Sequence, residues 1–347
     1  FNIQLYSDII VKSGATLTIT CKVLMPPEGR IIVERNAKLI VDEGEITGAY
    51  ETLWRGIEVW GNPNYAHDTP EPHGIVETKN GAIISNAKHA ITTTRKDENG
   101  FVVSGYHGGI IKADQTTFEN NKRAAEFWPF AYENASYFTR CSFLTSEALF
   151  DNNEFDYFII MSDIEGVTIQ GCDFENTRPA NDVYIEDRGI GIYSTECQFK
   201  IDEYEDPVGG NIENQFIALD YRIKALGLTS SKDPDIRCCS FDFNRTGVYF
   251  SGITSGSVLL SDFQVEMFDQ SYNQNIYCGL YLDNSTQYHI EANTFWHATN
   301  TPATETHVIG ITVNNSGESN NEIYRNTFKA LDIGILAQNN NRNANGS

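Results

Sequence analysis

"NEIYRNTFKALDIGILAQNN", residues 321–340, repeats phrases found earlier in the chain. Asn326-Thr327-Phe328 echoes "ANTF" at 292–295, and "DIGILAQ" echoes "VIGITVNN" at 308–315. The x-x-Phe phrase also occurs as "TTF" (116–118), "CSF" (141–143), "CDF" (172–174), "CQF" (197–199), "CSF" (239–241), "SDF" (261–263) and "NTF" (293–295). A second phrase, Gly-φ-x-φ with φ apolar, stands at 247–250, 279–282, 310–313 and 334–337. Phe241 to Gly247 is 6 residues, and Gly247 to Phe263 is 16, so one turn takes 22. The N-terminal segments "IIVKSGATLTI" (9–19) and "IIVERNAKLIV" (31–41) show the same offset of 22, matching Val11 to Val33 and Leu17 to Leu39. Further on, "HGIVETKNGAIISNAKHA" (73–90) lies over "HGGIIKADQTTFENNKRA" (107–124), and the polar segment "RKDENGFVVSGY" between them reads as an inserted loop.

Short apolar strands at a period near 22, lengthened by loops at particular corners, are the pattern of a β-solenoid. Residues two apart in a strand share a face. The Phe therefore points inward, together with the residue two before it. Stacked turns would pile those earlier residues into a column: Thr116, Cys141, Cys172, Cys197, Cys239, Ser261, Asn293, Asn326. The phrase is thus read as a core device. Leu17, Leu39, Ile84, Phe118 and the seven later Phe mark eleven rungs. Gaps near 61 and near 220 leave room for one more each, which gives about 13 coils.

In these phrases the chain resembles right-handed parallel β-helix proteins of the pectate-lyase-like superfamily. "GATLTI", "GRIIVERNAKLIV" and "WRGIEVWG" also look like phrases in large secreted surface proteins of Bacteroidota. The resemblance implies an all-β fold, one domain over 1–347 with an N-terminal cap region at 1–60 and the main solenoid at 61–347, and an extracellular or cell-surface location. It implies little about activity, because the fold hosts lyases, hydrolases, tailspikes and adhesins.

Composition narrows the partners. Against 25 basic residues stand 47 acidic ones, for a formal net charge of −22. Nucleic acid and anionic membranes need a cationic surface, so both are poor partners. Acidic polysaccharides would need a metal ion or a local basic patch. No apolar run is long enough to span a membrane, and no leader opens the chain. The seven cysteines are too few for a disulfide scaffold and lack zinc-ligand spacing. Adjacent rungs would let Cys141–Cys172 or Cys172–Cys197 bond, although buried free thiols are the simpler reading.

Several residues invite a chemical reading beside a structural one. "YRIKALG" (221–227) resembles the Arg-Ile-Lys segment of polygalacturonase-type glycosidases, and His107 in "YHGG" would be that family's histidine. The family's three Asp residues are missing, and no carboxyl pair of the kind inverting hydrolysis requires can be named. Arg222 and Lys224 would share a face if the strand is regular. They could then serve a polysaccharide lyase whose substrate carboxylate Ca²⁺ neutralises, or an outward ionic ladder with Lys88, Lys122, Glu147, Arg178, Glu203 and Arg245. Asp202, Glu203, Glu205 and Asp206 in "IDEYEDPVGG" could hold Ca²⁺ but are equally a solvated loop. Trp54 and Trp60 could stack on sugar rings or pack on the solenoid. Asn-X-Ser/Thr sequons stand at Asn134, Asn244, Asn284, Asn314 and Asn345.

The tail "LAQNNNRNANGS" offers no cap for an open solenoid end, so further modules, or a second subunit in a homo-oligomer, are expected to cover it. The leading expectation is a non-catalytic structural or adhesive module of a surface protein that needs no cofactor. The alternatives are a polysaccharide lyase, a glycoside hydrolase or a glycan-binding module. Insertions at 92–107, 126–138, 150–166, 203–215, 269–277 and 297–307 would wall the groove such an activity needs.

Overall fold

The computed structural model describes residues 2–69, 72–179, 183, 185–228, 232–266, 277–298, 308–317 and 320–341. The insertions expected at 269–277 and 297–307 lie almost wholly outside these residues, as does Asn345. The chain forms two compact units, residues 1–173 and 174–347. Each is a right-handed parallel β-helix whose rungs visit three parallel sheets, here A, B and C, in that order. Short antiparallel hairpins and two 3₁₀ turns are the only other elements among the described residues.

In unit 1, six rungs run from Asn2–Gln4 (sheet A), Ile9–Val11 (B) and Thr16–Ile19 (C) to Ser142–Thr145, Tyr157–Ser162 and Glu165–Gln170. The inward column of sheet A is Ile3, Val23, Ile46, Ile84, Phe118 and Phe143, each in register with the next. Phe118 and Phe143 stack at 5.0 Å, and Phe138 from sheet C meets both edge-on. In unit 2, the same column is Phe174, Phe216, Phe241, Phe263, Phe295 and Phe328, with centroids 4.5, 5.2, 4.5, 4.6 and 5.4 Å apart. Near-parallel rings at this spacing bury aromatic surface on both faces.

Three expectations are corrected here. Leu17 and Leu39 pair with each other and with Val76 in sheet C, so they do not lie under Phe118. Phe199 also belongs to sheet C, beside Pro234, and Phe216 takes its place in the column. Near 61 the chain forms a connection between Trp54–Val59 and Ile75–Lys79 and adds no rung. Among the described residues each unit has six strands in sheet A, close to the roughly 13 coils expected in all.

The corner before sheet A shows why small polar residues recur there. The residue ahead of most column members turns through positive φ: Gln115 51°, Arg140 51°, Cys238 49°, Leu260 52°, Ala292 57°, Arg325 56°. The next side chain then pins the bend. Cys141, Cys172, Cys239 and Ser261 each donate to the carbonyl two residues back. Asn293 Oδ1 accepts the Ser261 N–H at 3.0 Å, and Asn326 Oδ1 accepts the Asn293 N–H at 2.9 Å. The backbone donors of a turn are thus met by the side chains of the turn beside it. Cys197 makes the same bond, to Thr195 O, but at the corner between sheets B and C, and Asn214 replaces it in the column. All seven cysteines are free thiols.

Candidate functional site

Two places on the described surface collect side chains that the core does not use. The first is the outer face of sheet B in unit 2. Register aligns Tyr193, Lys224, Tyr249, Tyr281, Thr312 and Leu336 in one column, which is half-exposed at the tyrosines and closed at Thr312, a wholly buried residue. Tyr249 and Tyr281 stack at 5.4 Å, and Lys224 Nζ lies 4.7 Å from the Tyr221 ring and 5.8 Å from Tyr249. Burial pushes the Tyr221, Tyr249 and Tyr281 hydroxyls up, so they stay neutral donors. A polar column runs beside them. Asp283 accepts from Ser251 Oγ at 3.2 Å and Asn314 Nδ2 at 2.7 Å, and Gln338 Nε2 donates to Tyr281 OH at 3.0 Å. Aromatic faces next to amide, hydroxyl and carboxylate groups, spaced by one rung, form a surface suited to a polyhydroxylated chain.

The second place is a cleft of about 250 Å³ in unit 1, over sheet B and under the hairpin of Arg95–Lys96 and Val102–Val103. Behind its lining residues His89 and Lys96 lies Glu126, which is wholly buried. Glu126 Oε1 lies 2.8 Å from both His89 Nδ1 and Arg123 Nη1, and Oε2 lies 2.6 Å from Lys96 Nζ. Burial pushes the Glu126 carboxyl up, but these three groups overcome it and hold the carboxyl well below the usual carboxylate range. Burial lowers His89 and Lys96 from their ordinary values against the opposing pull of Glu126. Across the cleft, Glu58 accepts from Arg30 at 3.0 Å and from Trp60 Nε1 at 3.1 Å. Arg55 and Lys88 stand on the walls, bound to Glu98 and Glu28.

The residues singled out by sequence are scattered. Arg222 and Lys224 do not share a face, because Arg222 sits at the corner where the next two rungs carry Gly247 and Gly279. Its guanidinium is wholly buried and donates to the carbonyls of Leu219, Asp242 and Phe243. Burial also depresses its pKa, so its role is to satisfy corner carbonyls, as Arg188 does for Asn176, Arg178 and Ala218. In the ladder position, Arg245 pairs with Asp220, where Glu203 was expected; Lys88 pairs with Glu28 and Lys122 with Asp156.

Asp202, Glu203, Glu205 and Asp206 do not converge. Asp202 binds Lys200 at 2.8 Å, Glu203 accepts from Asn211 at 2.5 Å, and Asp206 caps the Val208 N–H within a hairpin. No group of three or more potential metal ligands meets among the described residues. Trp54 is core, its Nε1 donating to Ser85 O at 2.8 Å. Trp60 packs edge-on against Tyr106 beneath Arg95. Half-buried His107 faces no carboxylate in an ion pair. Its repeat partner His73 is tied to Gly108 O at 2.7 Å, and His67 bonds the same oxygen at 2.9 Å. Asn134 is buried and accepts the Ser136 N–H.

His89 and Glu126 were not legible in the sequence. They lie 37 positions apart on neighbouring strands, and no short motif links them. The tyrosines were visible one rung apart, at Tyr249 and Tyr281, but their outward direction needed the register.

No known family model matches the chain, and no curated protein matches it in sequence. Among solved structures, it is similar to the Dettilon tailspike protein gp208 (11% identity, TM-score 0.42, covering 96% of this chain and 61% of that one). It is also similar to the Streptococcus pneumoniae surface protein and adhesin PfbA (13%, 0.37, 93% and 89%). A third is the A-module of the Azotobacter vinelandii mannuronan C-5 epimerase AlgE4 (10%, 0.33, 95% and 91%). The chain thus spans less than two thirds of the tailspike's length. No described helix is long and apolar enough to cross a membrane.

Proposed function

We propose that the chain is an extracellular structural and adhesive β-helix that holds a neutral glycan along the tyrosine face of unit 2. The observation that supports this is the outward Tyr249–Tyr281 stack, flanked by Lys224, Ser251, Asp283 and Asn314 on successive rungs. Rungs repeat at about 4.8 Å, close to the length of one pyranose, so two successive sugars meet the two tyrosines. A chain of net charge −22 disfavours an acidic polymer. Among the described residues of the face, the Asp283 carboxylate is held by Ser251 and Asn314, which favours binding over two-carboxylate cleavage. Other modules of the same surface protein, or further copies of this chain, are the protein partners this reading expects.

The test is calorimetric titration of the protein with neutral and acidic polysaccharides. Neutral polymers bind the wild type, and Tyr249→Ala with Tyr281→Ala weakens binding roughly 10-fold or more, about 1.4 kcal/mol. Undiminished binding by the double variant removes the face from the proposal. Release of reducing or unsaturated ends from a bound polysaccharide makes the face an active site instead.

A further inference from the structure

His89 in the unit 1 cleft has an unspent nitrogen. Nδ1 faces Glu126, while no described group bonds Nε2, and the ring lines the cleft. We propose that this cleft hydrolyses a small acyl ester, with His89 as the general base that activates water. The inference does not depend on the tyrosine face.

The geometry prepares the imidazole. The Glu126 carboxylate, 2.8 Å from Nδ1, favours the tautomer with its proton on that nitrogen and the basic lone pair on Nε2. Lys96 and Arg123 fix Glu126 in turn. The strand Ala87–Thr92 shifts register between His89 and Ile91, opposite Gly56. Gly56 has φ +110°, and an added Cβ there would collide with the His89 carbonyl oxygen. A bulge of this kind re-aims a side chain at a cost in backbone strain. Burial, which disfavours the imidazolium, keeps a neutral base available at neutral pH.

The neighbours select the reaction class. Glu58 is held by Arg30 and Trp60, and Glu126 by the cations Lys96 and Arg123 beside the neutral His89, so neither carboxyl is free for two-carboxylate glycoside cleavage. No thiol lines the cleft, and the buried Thr92 hydroxyl already accepts from Trp128 Nε1 at 3.3 Å. Water is therefore the nucleophile assigned to Nε2. One imidazole and one water suffice for an ester. Nε2 takes a proton from water as its oxygen bonds the acyl carbon. The tetrahedral oxyanion sits beside Lys88 and Arg55, whose partners Glu28 and Glu98 are 64% and 83% exposed and can swing away. Collapse breaks the bond to the alkoxy oxygen, the imidazolium returns the proton to that oxygen, and the acid product ionises. Nothing is oxidised or reduced. A volume near 250 Å³ suits a short acyl group on a single hydroxyl.

The experiment is turnover of 4-nitrophenyl acetate by the whole chain, beside His89→Gln and Lys88→Ala. The expected result is wild-type hydrolysis that falls by about 10²-fold or more in His89→Gln, with an unchanged thermal midpoint. The rate should rise with pH through one ionisation below the ordinary imidazole value, and Lys88→Ala should lower kcat with the profile in place. Equal rates in wild type and His89→Gln overturn the proposal. An acetyl group trapped on His89 by mass spectrometry overturns its general-base role.

Discussion

The Cβ that Gly279 lacks would stand 2.5 Å from Cδ1 of Phe295 on the next rung. The same relation joins Gly247 to Phe263 at 2.7 Å and Gly310 to Phe328 at 2.8 Å. The coupled spacing of the two sequence phrases therefore has a steric origin. Each Phe fills the room that a glycine on the preceding rung leaves open. At Gly334 the nearest atom is 3.4 Å away, and no Phe of a following rung stands against it among the described residues. Gly279→Ala should cost about 1–3 kcal/mol through overpacking, while Gly334→Ala should cost well under 1 kcal/mol. Urea midpoints at constant slope measure the difference. Equal midpoints would mean that the stack has slack at Phe295.

Arg222 makes a prediction opposite to the one an active-site reading would make. Removing its side chain orphans the carbonyls of Leu219, Asp242 and Phe243 in a buried corner. Arg222→Met should destabilise the protein by about 2 kcal/mol or more and leave glycan affinity unchanged. Lys224→Ala should do the reverse. Its ammonium rides on Tyr221 and Tyr249, so stability moves by less than about 0.5 kcal/mol while binding weakens. Thermal melts and the same titrations on both variants check the pair.

These cases show what sequence could and could not reveal. The period of 22 was legible because burial recurs with every rung. The assignment of a phrase to a sheet was not. "CQF" at 197–199 reads like "CSF" at 239–241, since each corner uses a small side chain to bond the carbonyl two residues back. Only register separates Phe199, beside Pro234, from Phe216, beside Phe241. Arg222 and Lys224 looked like a regular pair two apart, but the corner turns Arg222 inward. The cleft was hidden for a different reason. His89 and Glu126 meet through register and through a bulge opposite Gly56, and neither leaves a local signature.

Asn293 uses both ends of its amide at the corner before sheet A. Its Oδ1 accepts the Ser261 N–H, and its Nδ2 donates to Val258 O at 2.8 Å and to Asn326 Oδ1 at 3.0 Å. Asn293→Leu keeps the volume and strands both a buried N–H and a buried C=O. The expected loss is about 2–4 kcal/mol. Asn293→Ser should recover part of it, because Ser261 already fills the equivalent place on the preceding rung. Indistinguishable melting of the Leu and Ser variants would count against the ladder.

His67 supplies a pH dependence whose sign follows from its contacts. Its Nε2 faces Gly108 O at 2.9 Å, its Nδ1 accepts the Ala135 N–H at 3.0 Å, and its ring stacks on Phe130 at 4.4 Å. The neutral tautomer with hydrogen on Nε2 satisfies both bonds. A second proton would point at the Ala135 N–H. Burial, then the neighbouring His73 and Lys112, lower its pKa to about 4. Above the ordinary value near 6.5, folded and unfolded chains both hold it neutral. As pH falls below 6.5, the unfolded chain binds the proton first, so stability declines down to about pH 4 and then levels. The slope has an upper limit of about 1.4 kcal/mol per pH unit. His73, lowered by burial and facing Arg35, adds in the same direction. Paired carboxylates such as Glu34 and Glu77, held below their usual range, lose their contribution only at lower pH. Between pH 6.5 and about 4.5 the two effects can therefore be told apart. His67→Gln should flatten the fall of the urea midpoint across that window, and an unchanged slope would place the acid sensitivity elsewhere.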